Sequence, residues 1–412
     1  MKILALGGCG DMGRVAVREI IGNPTVSEVV IADIDGSKAT RFADSLGSKA
    51  RAMEVDVRSD QSLASALQAC DIVVSTVGPY YLFGPRVLSA AINAGVHYID
   101  ICDDPEPTLD TLALDDRARA AGITAIIGAG ASPGTSNLLA AKAMKLLPKA
   151  TEIYTFWGTG GPLGDDEGAE LGTSAAGPAA ATLHWAQQIS GRVKVYRNGD
   201  VCEIEPLQAI KLEFPGRAAD RCHILGHPEP ITLPRTYPDI KQSYNLMNMP
   251  GYVVYALKKA AAMVVKGDQK SIYDASVELT RMLSDNGQGL WDIAQYLAHG
   301  AKDTIRSFLP SLGAVARGAG RYGKASLVGV HLRGRHRVDD MAHATCIPTA
   351  IILGMMLGGK IQRRGVMAPE ACVDPDDFFL RLAEHMHIEK GFDKSNYVEC
   401  VLRHTRQTYR PL

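Results

Sequence analysis

Residues 2–21, KILALGGCGDMGRVAVREII, govern how the rest of this chain is read. Lys2-Ile3-Leu4-Ala5-Leu6 is a short apolar run with the character of a buried strand. It passes directly into Gly7-Gly8-Cys9-Gly10-Asp11-Met12-Gly13, after which Val15, Val17, Ile20 and Ile21 recur with helical spacing. Strand, glycine turn and helix, in that order, form the setting in which G-x-G-x-x-G takes up a dinucleotide. Gly8 permits the tight turn, Gly10 leaves the backbone open to a pyrophosphate, and Gly13 lets helix and strand pack closely. Asp11 and Met12 open the helix, where free N–H groups and the positive end of the helix dipole face an anion. Glycine turns also close ordinary βα units, so the motif needs a second feature beside it.

Residues 27–34 (SEVVIADI) supply it. They read as a second strand ending at Asp33, about 20 residues beyond the last glycine, where a carboxylate accepts hydrogen bonds from the adenosine ribose and repels a 2′-phosphate. Ile34 follows, at the place where an NADP enzyme more often has arginine. Lys38 and Arg41 stand near enough to keep NADP open as the alternative, but the reading is NAD.

The chain as a whole has 412 residues, enough for two domains and a C-terminal return. Its 46% hydrophobic and 22% charged residues describe a soluble globular protein, and its scattered cysteines one expected in the cytoplasm. A net charge of −1 provides no electrostatic footprint for nucleic acid or an anionic membrane. The start lacks a signal-peptide pattern, and the longest apolar stretch, 346–359, is too short to span a bilayer. Eight scattered cysteines without a C-x-x-C pair suit reduced thiols, and neither they nor the eleven histidines have metal-ligand spacing. No metal is expected.

Alternation of strand and helix continues from Asp33. Residues 37–46 and 62–69 read as helices around a third strand, 50–57, whose Asp56-Val57 end belongs beside the adenine. The run 71–77 (DIVVSTV) is expected of a central parallel strand, and Val77, Gly78 and Pro79 end it where the nicotinamide ribose and ring lie. A helix over 85–94 stops at Gly95. Strand 97–101 leads to Cys102-Asp103-Asp104-Pro105, and helix 112–121 precedes a sixth strand, 123–127. This is the doubly wound dinucleotide-binding plan, an N-terminal Rossmann domain of α/β class.

Four stretches carry a more specific likeness: GGCGDMGR at 7–14, VSTVGPYYLFGPRVLSAA at 74–91, AGVHYIDICDD at 94–104 and GAGASPGTSN at 128–137. A weaker echo follows in GKIQRRGVMAPE at 359–370. In order and spacing they resemble the saccharopine dehydrogenase superfamily along the whole first domain, nearest its lysine 6-dehydrogenase-like branch. The resemblance implies NAD(P)-linked chemistry at a carbon–nitrogen bond of a small amino-acid-like substrate, either reduction of an imine or oxidation of an amine. It implies a second domain that supplies the substrate wall and a homodimer interface, and C-terminal helices that return to the first domain. The expected division is 1–128 for the dinucleotide domain, 129–345 for an α+β domain on a mixed sheet, and 346–412 for the returning helices. Two other readings stand beside this one: a homospermidine synthase-like transferase with resident NAD, and a non-catalytic NAD binder.

Candidate catalytic residues are Asp100 and Asp103, which follow the fifth strand at its carboxyl end. A carboxylate there pairs with a substrate ammonium or moves its proton, whereas the plain alternative is turn and cap duty. Strand alternation does not decide which of the two faces the cleft. Tyr80 and Tyr81 are candidate substrate neighbours, or core tyrosines. Ser132, in the turn before an apolar helix at 138–147, offers backbone donors to a substrate carboxylate, or else starts that helix with Thr135. Arg321, with Arg333, Arg335 and Arg337, is a candidate carboxylate clamp, and His343 precedes another apolar helix.

Beyond residue 150 the pattern changes. A strand at 151–158 enters a Gly-rich acidic loop, 160–172, and then a helix, 173–189. Strands at 192–204 and 207–214 include an Asn198-Gly199 hairpin, and helices follow at 251–265 and 271–283. Residues 216–250 show no clear period; 327–332 reads as a strand, 345–358 and 375–386 as helices, and 387–412 as a basic, peripheral tail.

Overall fold

The computed structural model describes residues 1–68, 70–159, 180–265, 268–283, 289–319, 325–332, 341–385 and 397–405. Two units divide the chain: Met1–Leu138 with Arg337–Ile388, and Leu139–His336 with Glu389–Leu412.

The first unit begins β1 (Lys2–Leu6), α1 (Asp11–Ile21), β2 (Glu28–Asp33), α2 (Gly36–Leu46), β3 (Ala50–Glu54), α3 (Asp60–Leu67) and β4 (Ile72–Ser75). It continues with α4 (Tyr80–Ala94), β5 (His97–Asp100), α5 (Pro105–Leu112), α6 (Asp115–Ala120) and β6 (Thr124–Ile126); α7 (Thr135–Leu146) starts in it, and from Leu139 onward the helix is counted with the second unit. Val29, Val30, Ile31 and Ala32 of β2, and Val73 and Val74 of β4, are buried on both sides, as a parallel sheet covered by helices requires. The expected helix 112–121 is shorter, and α5 starts before it at Pro105, whose ring suits a first helical turn.

In the second unit, β7 (Ala150–Gly158) is followed by α8 (Ala180–Gln188), β8 (Val193–Arg197), β9 (Asp200–Ile204), β10 (Ala209–Leu212) and β11 (Asp220–Ile224). Next come α9 (Glu229–Thr236), β12 (Gln242–Asn248), α10 (Gly251–Ala261), α11 (Gln269–Leu283), α12 (Leu290–Asp303), β13 (Leu312–Ala319) and β14 (Ala325–Leu332). The sheet runs β10-β11-β12-β7-β13-β14 and continues to a further strand, with the β8–β9 hairpin attached to β12. Among the described residues only β12 and β7 pair in parallel in this sheet, so the sheet is mixed, as expected. Tyr154, Phe156, Phe214 and Leu246 pack on one side of it. Met247, Tyr252 and Leu279 pack on the other. Residues 216–250, unread in the sequence, hold β11, α9 and β12.

The chain then gives α13 (Met341–Leu357), β15 (Gly365–Met367), α14 (Pro375–His385) and β16 (Val398–Thr405). In the first unit α13 packs along α1, and β15 adds a seventh parallel strand beyond β6, giving the order β15-β6-β5-β4-β1-β2-β3. The expected helical return over 346–412 is therefore corrected twice. Residues 365–367 are a strand, and Val398–Thr405 is not a peripheral tail but the antiparallel partner of β14, from Leu332↔Val398 to Ala325↔Thr405. Pairing satisfies the backbone groups that an open β14 edge would leave. No described helix is long and apolar enough to cross a membrane.

Candidate functional site

The turn after β1 is fixed by backbone bonds. Gly7 N and Gly8 N both donate to Ala32 O, at 2.8 and 3.1 Å, which ties the turn to the end of β2. Gly7 has φ +77°, a left-handed conformation that favours glycine. A Cβ at Gly8 would meet Ala5 O and Ile31 Cγ2 at 2.9 Å, and one at Gly13 would meet Gly8 Cα at 2.7 Å and overlap Gly7 O. Packing alone demands glycine at both positions. Gly10 differs: its Cβ would find nothing nearer than Gly7 O at 3.5 Å. The open space over Gly10 is a cradle a side chain would fill, at the start of α1, whose N-cap provides no side-chain bond. Asp11 is exposed there and Met12 half-buried.

Asp33 reaches over this turn. Its Oδ2 accepts from Cys9 N at 3.1 Å and its Oδ1 from Asp35 N at 3.2 Å. Lys38 stands 3.9 Å from Asp35, and Arg41 donates to Ser37 Oγ at 3.3 Å. The cation that joins the glycine turn is Arg14, unremarked in the sequence reading, which donates from Nε to Cys9 O at 3.0 Å and stacks over Phe42. Only its place one residue after Gly13 could have marked it.

At the next strand ends, Asp56 is gripped by Arg58, whose hydrogen bonds hold its carboxyl below the usual range. Arg86 Nε donates to Val57 O at 2.8 Å. Thr76 Oγ1 donates to Leu6 O at 3.1 Å and stands 3.2 Å from Gly7 O, and Val77 Cγ2 lies against Gly7. Gly78 is exposed and Pro79 caps α4. The adjacent tyrosines part company. Tyr80 is buried, with its hydroxyl donating to Ser75 O at 3.0 Å and its pKa raised by burial, whereas Tyr81 is 45% exposed.

Asp100 and Asp103 part in the same way. Asp100 is 1% exposed. Its Oδ1 accepts from Gly128 N at 2.7 Å and Cys102 N at 3.0 Å, and its Oδ2 from the Tyr98 hydroxyl at 2.7 Å. Burial pushes its carboxyl up to about 6, against the pull of these bonds. Asp103, further along the coil between β5 and α5, is half-buried.

Asp100 thereby fastens the loop after β6. Ala129 N donates to Asp100 O at 2.8 Å, and Gly130 and Gly134 form a bridge so close that a Cβ at Gly134 would strike the Gly130 backbone. Ser132 lies half-buried at the tip of this coil. Asn137 accepts from Gly134 N and donates to Glu370 Oε2, each at 2.9 Å. Thr349 Oγ1 donates to Ala129 O at 3.0 Å, and the Thr345 methyl abuts Gly130, so α13 seats on the coil. His343 is half-buried in the first turn of that helix. Arg321, Arg333, Arg335 and Arg337 lie outside the described residues, as does the loop 160–172.

Residues 3–126 match the saccharopine dehydrogenase NADP binding domain family. Carboxyaminopropylagmatine dehydrogenase from Synechocystis is 22% identical over 93% of this chain and 96% of its own. Carboxynorspermidine synthase from Vibrio cholerae is 27% identical over 36% of this chain and 40% of its own. Among solved structures, apo saccharopine dehydrogenase (L-Glu forming) from Saccharomyces cerevisiae superposes with a TM-score of 0.58 at 16% identity, covering 98% of this chain and 99% of that one. That last likeness is one of fold.

Proposed function

For a chain that carries a saccharopine dehydrogenase-type NAD(P)-binding domain over residues 3–126, we propose an oxidoreductase acting at a carbon–nitrogen bond of an amino-acid- or polyamine-like substrate. The observation that carries the cofactor half of this reading is the open cradle over Gly10 beside the Asp33 carboxylate. The start of α1 takes the pyrophosphate, and Asp33 accepts from the adenosine ribose, which favours NAD over NADP. Asp56 and Val57 border the adenine, and Val77, Gly78 and Pro79 the nicotinamide side. When bound, the nicotinamide accepts or supplies hydride.

Asp103 is the carboxylate that receives the amine proton or pairs with the ammonium, because Asp100 is committed to three donors in the core. Asp100 acts as a positioning residue for the coil at 128–134. Tyr81, Ser132 and His343 remain substrate neighbours in this reading, and Tyr80 a core residue. The names of two relatives, a carboxyaminopropylagmatine dehydrogenase and a carboxynorspermidine synthase, support a polyamine-like substrate.

The chain also forms a homodimer in this reading, a second copy covering the apolar face of α11 and α12. Tyr273, Val277, Leu290, Trp291 and Leu297 lie exposed there, Leu290 at 89% and Leu297 at 64%. Eight free thiols suit a reducing, cytoplasmic setting.

The deciding experiment incubates purified protein with NAD or NADP and a panel of lysine, ornithine, saccharopine, opines and carboxyalkyl polyamines, and follows reduced-nicotinamide absorbance. NADH formed with one amine is the expected result. Cofactor that stays bound through turnover with no net redox change would replace this reading with the transferase one.

A further inference from the structure

Arg14 is fixed at the glycine turn with most of its hydrogen-bonding capacity unspent. Its Nε–H donates to Cys9 O at 3.0 Å, and its Cζ lies 5.1 Å from the centre of the Phe42 ring. Phe42 is 4% exposed, so the guanidinium is held against a buried ring. A guanidinium presents its N–H donors in a rigid fork. The Nη–H groups of Arg14 meet no acceptor among the described residues, on a side chain that is half-buried. Arg18, one helical turn on, brings a second guanidinium 5.5 Å from the same ring. Like charges four residues apart on a helix repel, and among the described residues neither arginine has an ion-pair partner.

Asp33 holds the same residue from its other polar group. Cys9 N–H donates to Asp33 Oδ2 at 3.1 Å while Cys9 O accepts from Arg14, so a carboxylate and a guanidinium grip one residue without pairing with each other. The two cations that the sequence placed near this edge are engaged elsewhere. Lys38 stands 3.9 Å from Asp35, and Arg41 donates to Ser37 Oγ.

A guanidinium pinned in place with its outer donors open is prepared for an oxyanion, and its fork suits a phosphate. Position selects which one. The pyrophosphate belongs over Gly10, whereas Arg14 lies between Cys9 and α2, the helix that follows Asp33. That is the side of the turn given to the adenosine ribose. We propose that Arg14 receives a 2′-phosphate on that ribose, so that the site binds NADP beside NAD: the ribose hydroxyls meet Asp33, and a phosphate on the 2′ oxygen meets the Arg14 fork. This rests on the dinucleotide-binding half of the proposed function and assigns the residue that sets its tolerance for NADP.

The test needs binding alone, so its failure and that of the carbon–nitrogen chemistry are separable. NADPH and NADH are titrated into the full-length protein, without substrate, and nicotinamide fluorescence is followed. The parent is expected to bind both. Arg14→Met keeps an alkyl stem over Phe42 and should weaken NADPH about 10- to 100-fold, the loss of a hydrogen bond to a charged group, and NADH less than about threefold. Arg14→Lys should restore part of the NADPH affinity. Should Arg14→Met not fold, Arg14→Gln is read in its place, with the same split expected. A residue that only holds Cys9 would weaken both cofactors alike, and an unmoved NADPH-to-NADH ratio would therefore overturn the proposal. So would a parent that binds NADH and not NADPH. A parent that binds neither would overturn it together with the dinucleotide reading.

Discussion

The Asp33 carboxylate stands 3.1 Å from the backbone nitrogen of Cys9, so the end of β2 and the glycine turn after β1 meet at one charged group. Replacing it with arginine removes the acceptor proposed for the ribose hydroxyls and brings a cation beside Arg14. A hydrogen bond to a charged group contributes about 1.5–3 kcal/mol. Asp33→Arg should therefore lower kcat/KM with NAD roughly 10- to 100-fold and raise the NADP-to-NAD ratio. An unchanged ratio would contradict the ribose role.

Gly10 and Gly13 should fail in different ways. Gly10→Val places its side chain in open space, so thermal unfolding should match the parent while NADH binding weakens roughly 100-fold, about 2.7 kcal/mol. Gly13→Ala drives a methyl into Gly7 and Gly8 and should unfold at lower temperature. Calorimetry and NADH fluorescence separate the two effects, and full NADH binding by Gly10→Val would remove the pyrophosphate from that position.

Burial raises the Asp100 carboxyl to about 6, above an unfolded value of about 3.9. The folded state therefore holds the proton more tightly. The stability this group contributes is complete below about pH 4 and is lost as pH rises through about 6. An Asn at this position keeps an oxygen for Gly128 N and Cys102 N without the buried charge. Urea midpoints of Asp100→Asn should vary less between pH 4 and pH 6 than those of the parent; parallel curves would show that Asp100 does not titrate there.

Asp103→Asn should keep NADH affinity and lose about 10²- to 10⁴-fold in kcat, the range expected when a general acid–base group is removed. Steady-state rates beside NADH titration test this. Turnover at the parent rate would leave the proton transfer to another group.

Charge on the exposed face of α12 should separate a dimer. Leu297→Lys is expected to halve the mass seen by light scattering without altering the far-ultraviolet spectrum. A parent protein that already runs as a monomer would discard the interface.

Much of the first unit was legible because its signals are local. Contiguous residues from Lys2 to Gly13 set strand, turn and helix together, and Asp33 follows at a spacing that one crossover fixes. The β-branched run behind β4 likewise carries its own burial in its composition. Elsewhere local signals were absent. Residues 216–250 mix strand and helix in short pieces broken by proline, and the region of α12 and β13 drew no reading. Gly313 and Gly318 dilute the strand pattern of β13, yet a Cβ at either would strike a neighbouring strand, Val330 O of β14 in one case and Ala150 Cα of β7 in the other.

The sequence by itself determined the dinucleotide-binding plan, the glycine turn and the acidic end of β2, because each depends on residues close along the chain. Only the tertiary structure decided that Asp100 is buried and Asp103 is not, that Tyr80 and Tyr81 separate, and that residues 365–367 and 398–405 complete two sheets. Those outcomes depend on which distant backbone groups need partners and which side chains lose water together. Such sums run over residues hundreds of positions apart, and no spacing within the chain records them.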